Sequence, residues 1–270
     1  MIQKSLIRSR VAEKPLSEDL KPVSMLEFVG QKHLFSQSRI LTDILHKKKL
    51  PSLILWGPPG TGKTSLSRIL KATLELPSFE IQATAFSTRD LKKLGDAARE
   101  RFQSGNSRTL LFIDEIHRLN KAQQDTLLGY VEEGSFLLIG ATTENPSFEL
   151  NSALLSRVHV LCFKKHDKQS LAAIYQRGRE NGRIKVTLDE TALEALCSQA
   201  DGDARFFLNQ LEIIQDGYQS KQVLDVDALE DLLTTKLLYH DKNRDQHYDL
   251  ISAFHKALRA SDTQIGRAHV

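Results

Sequence analysis

The chain has 270 residues, 40% hydrophobic and 26% charged, with 37 Lys and Arg against 34 Asp and Glu. That length can bury the cores of two domains, and the composition is ordinary for a soluble protein. Its formal net charge of +3 permits nucleic acid as a partner without demanding it. Cys162 and Cys197 have no partner spacing, which excludes a disulfide framework or a cysteine zinc site and points to a reducing compartment. No apolar run approaches the roughly 18 residues of a membrane span, and the basic N-terminus lacks the apolar region of a secretory signal.

Residues 1–23 read as a polar lead-in closed by Pro22. Ile40, Leu41, Ile44 and Leu45 mark one face of a helix that ends in Lys47, Lys48 and Lys49 and is stopped by Pro51. Leu53 to Trp56 is a short apolar run, expected as a buried strand, with a helix starting near Gly62. Phe79 to Gln82 reads as a second strand. Leu91, Leu94, Ala98 and Phe102 mark the next helix, stopped near Gly105. Thr109 to Asp114 is a third strand, and Asn120 can cap a helix reaching Val131. Phe136 to Thr142 and Val158 to Phe163 are the fourth and fifth strands. Strands alternating with helices predict a parallel α/β sheet covered on both faces, over residues 24–163.

After Phe163 only helical periodicity is visible, at 171–180, 190–199, 204–215 and 226–233, with Asp189 and Asp203 as N-caps. Residues 164–235 are expected to form a small all-helical lid, joined through Lys164 to Lys168. A helix at Leu250 to Leu258 begins something the chain does not finish, so residues 236–263 read as the truncated start of a third domain. The tail Gln264 to Val270 matches one reading frame of a common sequencing adapter and is expected to be an artefact.

Two motifs carry chemistry. Gly57-Pro58-Pro59-Gly60-Thr61-Gly62-Lys63-Thr64 fits G-x-x-x-x-G-K-[ST] between a strand and a helix, and with Ser65 it forms a phosphate-binding loop. Glycines let backbone N–H groups turn toward phosphates, and the helix that follows points its positive end at them. Lys63 supplies charge to the β- and γ-phosphates, and Thr64 offers a hydroxyl to Mg2+. The second motif is Leu110-Leu111-Phe112-Ile113-Asp114-Glu115, a buried strand ending in two carboxylates at the sheet edge where ligands bind. Asp114 is expected to hold the metal and Glu115 to act as general base. Together these imply ATP binding and hydrolysis.

Loop, acidic strand end and helical lid resemble an AAA+ ATPase. Asp114-Glu115-Ile116-His117-Arg118-Leu119-Asn120-Lys121, Gln123-Gln124-Asp125 and Ile139 to Phe148 narrow this, because they are similar to the replication-associated recombination protein A family, related to eukaryotic Werner-helicase-interacting ATPases. The resemblance runs from about Pro15 to Asp262, and His247 to Ser252 resembles the opening of that family's C-terminal helical domain. It implies that Val29, Gly30 and the following Gln31 lie by the adenine. It implies that Thr143 is the sensing polar residue at the end of the fourth strand, with Asn145 a rival, and that Arg157 of Leu154-Leu155-Ser156-Arg157 is an arginine finger for a neighbouring subunit. It also implies that Arg205 of Gly202-Asp203-Ala204-Arg205 is the lid's sensor. An Arg in a helix's first turn opposes the macrodipole, so Arg205 is not there for helix stability.

The activity so implied is a DNA-dependent ATPase of replication-fork maintenance, recombination and repair. Its partners are forked, single-stranded or gapped DNA, copies of itself (a tetramer in the full-length family) and single-stranded-DNA-binding protein, with no membrane. The location implied is the bacterial cytoplasm at the nucleoid, or the nucleus in a eukaryote; the lack of a preceding zinc finger favours the former. A clamp-loader subunit or Holliday-junction branch-migration ATPase is the alternative within ATPases, and a non-hydrolysing ATP-dependent scaffold is the alternative outside them. Lys47–Lys49, Lys92-Lys93, Arg99 and Arg101 read as solvated faces, and His117 as either a residue that contacts DNA or couples the site to it, or a polar surface histidine.

Overall fold

The computed structural model describes residues 14–36, 41, 50–105, 107–218, 222–229 and 232. The helical face around Ile40 to Lys49, apart from Leu41, lies outside the described residues, as do the end of the 226–233 helix, the start of a third domain and the tail.

In chain order, the helices are α1 Leu16–Asp19, α2 Lys32–Ser36, α3 Lys63–Leu74, α4 Thr88–Gln103, α5 Lys121–Glu132, α6 Pro146–Glu149, α7 Ser152–Leu155, α8 Lys168–Glu180, α9 Glu190–Gln199 and α10 Ala204–Gly217. The strands are β1 Leu53–Trp56, β2 Ser78–Gln82, β3 Thr109–Asp114, β4 Phe136–Thr142, β5 His159–Cys162, β6 Thr187–Leu188 and β7 Val223–Leu224. Contacts divide the described residues into a sheet unit, within 22–174 and 200–204, and a helical unit that holds the other described residues.

The sheet unit is a five-stranded, all-parallel sheet in the order β2-β3-β4-β1-β5. Its central strands β1, β3 and β4 are buried and largely apolar because both faces are covered, and their side chains alternate between two cores, while the edge strands β2 and β5 carry polar, partly exposed residues. Leu53, Leu55, Leu110, Phe112, Leu137 and Ile139 face one core together with Leu66 and Leu70 of α3. Ile54, Leu111, Ile113, Phe136 and Leu138 face the other, with Leu91 and Ala98 of α4 and Leu127 and Tyr130 of α5. Helices α4 and α5 each begin with a capping box, Ser87 with Asp90 and Asn120 with Gln123, so the expected cap at Asn120 is present.

The helical unit contains α9, α10, the C-terminal part of α8, and one short parallel pair, β6 with β7, that helical periodicity does not reveal. Two-residue strands carry no period to read. Asp189 caps α9, its Oδ1 accepting from Ala192 N at 2.7 Å, and these hydrogen bonds hold its carboxyl below the usual range. Residues 15–21 pack in this unit as well: Arg177 Nη2 donates to Leu20 O at 2.7 Å, and Arg183 pairs with Asp19 at 2.9 Å. Residues 164–174 and 200–204, by contrast, cluster with the sheet. His166 N donates to Gly202 O at 3.1 Å, and Lys165 forms an ion pair with Asp201.

Candidate functional site

The phosphate loop leaves β1 at Gly57 and enters α3 at Lys63. Lys63 Nζ folds across it, donating to Gly57 O and Pro58 O at 2.7 Å each. Thr61 is buried, and its hydroxyl donates to Pro58 O at 2.8 Å. Gly62 caps α3 with φ +97°, a left-handed conformation that favours glycine. Unlike α4 and α5, α3 has no side-chain hydrogen bond at its cap. Its first-turn N–H groups therefore lack the side-chain acceptor that the capping boxes provide, which fits an anion at this helix end. Thr64 stands half-buried in that turn, Ser65 buried beside it, and Pro58 and Pro59 form the outer curve.

Strand register sets the acidic pair at the same edge. Ile113, Gly140 and Ile54 lie in one row across β3, β4 and β1, so Asp114, Thr142 and Gly57 all fall within the next three rows. Glu115 is exposed and has φ +53°, uncommon for a residue with a side chain. Its backbone N–H donates to Asp114 Oδ1 at 3.0 Å, which turns the chain sharply after the strand. Among the described residues no cluster of three or more His, Cys, Asp or Glu could hold a metal by itself. The donors that fit Mg2+ are instead one carboxylate and one hydroxyl, Asp114 and Thr64, a pairing suited to an ion also ligated by phosphate.

Val29 and Gly30 are tied to the loop by their neighbour. Gln31 is buried with φ +52°, its Nε2 donating to Lys164 O at 2.6 Å and Thr61 O at 3.4 Å, and its Oε1 accepting from Lys164 N at 2.9 Å. From the other side, Ala204 N donates to Gly60 O at 3.2 Å, and a Cβ on Gly60 would meet Asp203 Oδ1 at 1.8 Å. The Gly202-Asp203-Ala204 stretch thus touches the loop, while Arg205 follows it, exposed, in the first turn of α10 in the helical unit.

At the end of β4 the structure separates two threonines. Thr143 lies one residue beyond the strand and is exposed. Thr142 is buried, its Oγ1 2.9 Å from His117 Nδ1 and accepting from Glu144 N at 3.0 Å, while its carbonyl accepts from Gly57 N at 3.2 Å. Asn145 caps α6, its Oδ1 accepting from Ser147 N at 3.0 Å. Sequence reasoning missed Thr142, although it adjoins a residue that was selected and only burial distinguishes the two, whereas Gln31, read with Val29 and Gly30 from the sequence, is the residue that ties them to the loop.

Arg157 sits apart from this edge, just after α7. Gln124 holds that region, donating to Leu119 O and Glu149 O at 3.0 Å each and accepting from Asn151 N at 2.8 Å. Asn151 in turn caps α7, accepting from Leu154 N at 2.7 Å. Arg157 pairs with Glu132 at 2.5 Å, as a surface guanidinium commonly does.

Comparison with known proteins agrees with this geometry. The model for the ATPase family associated with various cellular activities (AAA) matches residues 53–166, and that for the AAA C-terminal domain matches residues 181–259. Replication-associated recombination protein A of Escherichia coli (strain K12) is 36% identical over 257 residues, covering 92% of this chain and 57% of that protein. The protein of the same name from Coxiella burnetii is 40% identical over 256 residues, covering 92% and 58%. The chain belongs to the replication-associated recombination protein A family of AAA+ ATPases. ATPase WRNIP1 of Dictyostelium discoideum, 39% identical over 271 residues, extends the likeness to a eukaryote, covering 92% of this chain and 31% of that one. The chain therefore spans less than two thirds of each of these relatives. The solved Thermotoga maritima RuvB Holliday junction branch migration motor shares the fold, with TM-score 0.68 and 26% identity over 80% of this chain and 72% of that one. No helix among the described residues is long and apolar enough to cross a membrane.

Proposed function

We propose that this chain is the ATP-hydrolysing core of a DNA-dependent enzyme of replication-fork maintenance, recombination and repair. One observation carries the reading: the phosphate loop, with Lys63 folded across it, and the Asp114-Glu115 pair share one edge of the sheet. Lys63 exchanges its contacts with Gly57 O and Pro58 O for oxygens of the β- and γ-phosphates, which are anionic and stronger acceptors. The N–H groups of α3's first turn hold the same phosphates. Glu115 takes the proton of the attacking water. Mg2+, held by Asp114 and Thr64, supplies neutralisation of the phosphate charge. Val29 and Gly30 border the base, fixed by Gln31, and Thr143 or its buried neighbour Thr142 senses the γ-phosphate.

Arg157 acts on the nucleotide of another copy, and Arg205 reports hydrolysis to the helical unit, so activity requires a homo-oligomer. On this reading residues 24–163 are the ATPase domain, 164–235 the lid and 236–263 the start of an oligomerising domain, tetrameric in the full-length protein. DNA at forks, gaps or single-stranded regions is the substrate surface, with single-stranded-DNA-binding protein as a partner. The site of action is the bacterial nucleoid, or the nucleus in a eukaryote.

The test is phosphate release with forked, single-stranded, duplex and four-way-junction DNA. Stimulation by forks or single strands supports the reading. Movement of four-way junctions in preference to forks would instead support a branch-migration motor, the second reading favoured by the likeness to the Thermotoga structure. Bound ATP in an intact oligomer without DNA-stimulated phosphate release would leave only a nucleotide-dependent scaffold.

A further inference from the structure

The phosphate loop occupies one end of the sheet. At the other end, where β1 and β4 begin, Pro51, Ser52, Phe136 and Leu137 floor a cleft of about 510 Å³. Its charged walls are Arg108, Glu132 and Arg157. Arg157 Nε lies 2.5 Å from Glu132 Oε1, and its Nη1 donates to Ala153 O at 2.9 Å and Ser156 Oγ at 2.7 Å. The guanidinium is thus held at two of its nitrogens, Nε and Nη1, by three groups of its own subunit. Arg108 is exposed, with its guanidinium close to Gly134, and it has no carboxylate partner among the described residues. Two guanidiniums against one carboxylate leave the cleft net cationic and therefore attractive to an anion.

That anion is not the chain's own nucleotide. Ser52 lines the cleft and Gly57 opens the loop, and five residues of extended strand at about 3.3 Å each separate them by roughly 16 Å. Opposite ends of one sheet can meet only between copies stacked head to tail, the kind of contact that closes into rings. We infer that Arg108, Glu132 and Arg157 form one trans-acting cleft for the polyphosphate bound at the loop of a second copy of this chain, Glu132 positioning Arg157 and Arg108 adding a second cation. This rests on the intersubunit ATPase reading above, and deepens it. A guanidinium already fixed by Glu132, Ala153 and Ser156 loses little freedom on meeting phosphate, whereas an untethered one must first be ordered.

The experiment mixes two full-chain variants. The acceptor carries Arg157→Ala and keeps its phosphate loop; the donor carries Lys63→Ala and keeps its cleft. Phosphate release should be low for each alone and recovered in the mixture. Glu132→Gln or Arg108→Ala is then added to the donor. The recovered kcat should fall roughly tenfold or more with KM for ATP unchanged, and Glu132→Asp should restore part of it. Binding of a fluorescent ATP analogue to the acceptor should not change. Added to the acceptor, whose cleft already lacks Arg157, either substitution should make no further difference. Equal turnover with the substituted and parent donors, or the same loss from either partner, would overturn the inference. Failure of the parent donor to rescue the acceptor would overturn the intersubunit reading itself.

Discussion

Thr142 Oγ1 and His117 Nδ1 lie 2.9 Å apart and share a hydrogen bond between the end of β4 and the turn that follows Glu115. The Thr142 carbonyl meanwhile accepts from Gly57 N, the first amide of the phosphate loop. One buried residue therefore links the loop to the turn that follows the acidic strand end. Thr142→Val keeps the shape and removes the hydroxyl. It should cost about 0.5–1.5 kcal/mol, the net contribution of an ordinary hydrogen bond, because Glu144 N loses its acceptor at an exposed position. Phosphate release should fall as well. Thr143→Ala, at an exposed position, should stay within about 0.5 kcal/mol of the parent in denaturant unfolding. A loss of phosphate release confined to Thr143→Ala would assign the sensing role to Thr143, and one confined to Thr142→Val would assign it to Thr142.

Glu115→Gln preserves size and removes the base. The variant should retain ATP binding while phosphate release falls by about 10²-fold or more. A filter-binding assay beside a phosphate assay separates the two, and ordinary turnover would show that Glu115 is not the base.

Lys63→Ala should weaken binding of a fluorescent ATP analogue at least tenfold, on the order of the loss of one charge-assisted contact. Lys63 Nζ bonds to the loop carbonyls Gly57 O and Pro58 O, which water can solvate once the side chain is gone, so thermal melting without nucleotide should fall only modestly. A large drop in that melting temperature would mean that the lysine is chiefly a structural tie.

Two glycine substitutions should act with opposite sign. A Cβ on Gly95, inside α4, would meet Tyr130 ring atoms at 2.2 Å, so Gly95→Ala should destabilise by about 1–3 kcal/mol despite better helix propensity. A Cβ on Gly129, inside α5, meets nothing within 4 Å, so Gly129→Ala should stabilise by about 0.4–1 kcal/mol. Urea unfolding of the pair reports both.

Burial holds the His166 imidazole below its ordinary pKa of 6.5, outweighing the opposing pull of Asp167 and Asp203. Nδ1 is buried and has no hydrogen-bond partner among the described residues. Below pH 6.5 the unfolded chain takes up a proton there that the folded chain still refuses, so stability falls with pH through that window. Above 6.5 both forms are neutral and this contribution vanishes. His166→Asn should flatten the fall in urea midpoint between pH 7 and pH 5, and an unchanged slope would assign the effect elsewhere.

Much of this protein is legible in the sequence. Leu53 to Trp56, Thr109 to Asp114 and Phe136 to Thr142 are the strands of the structure without change, because buried parallel strands are continuous apolar runs. The phosphate loop is legible because its chemistry needs glycines at fixed spacing, and the helix cap at Asn120 because it is local. Three things were decided only by the fold. Strand order placed Asp114 two strands from the loop yet at the same edge, and Arg157 at the other end. Burial separated Thr142 from its exposed, identical neighbour, and made Gln31 the tie between Gly30 and the loop. Residues 200–204 joined the sheet unit although their sequence surroundings are helical. Each of these depends on contacts between residues far apart in the chain, and periodicity and spacing record only the near ones.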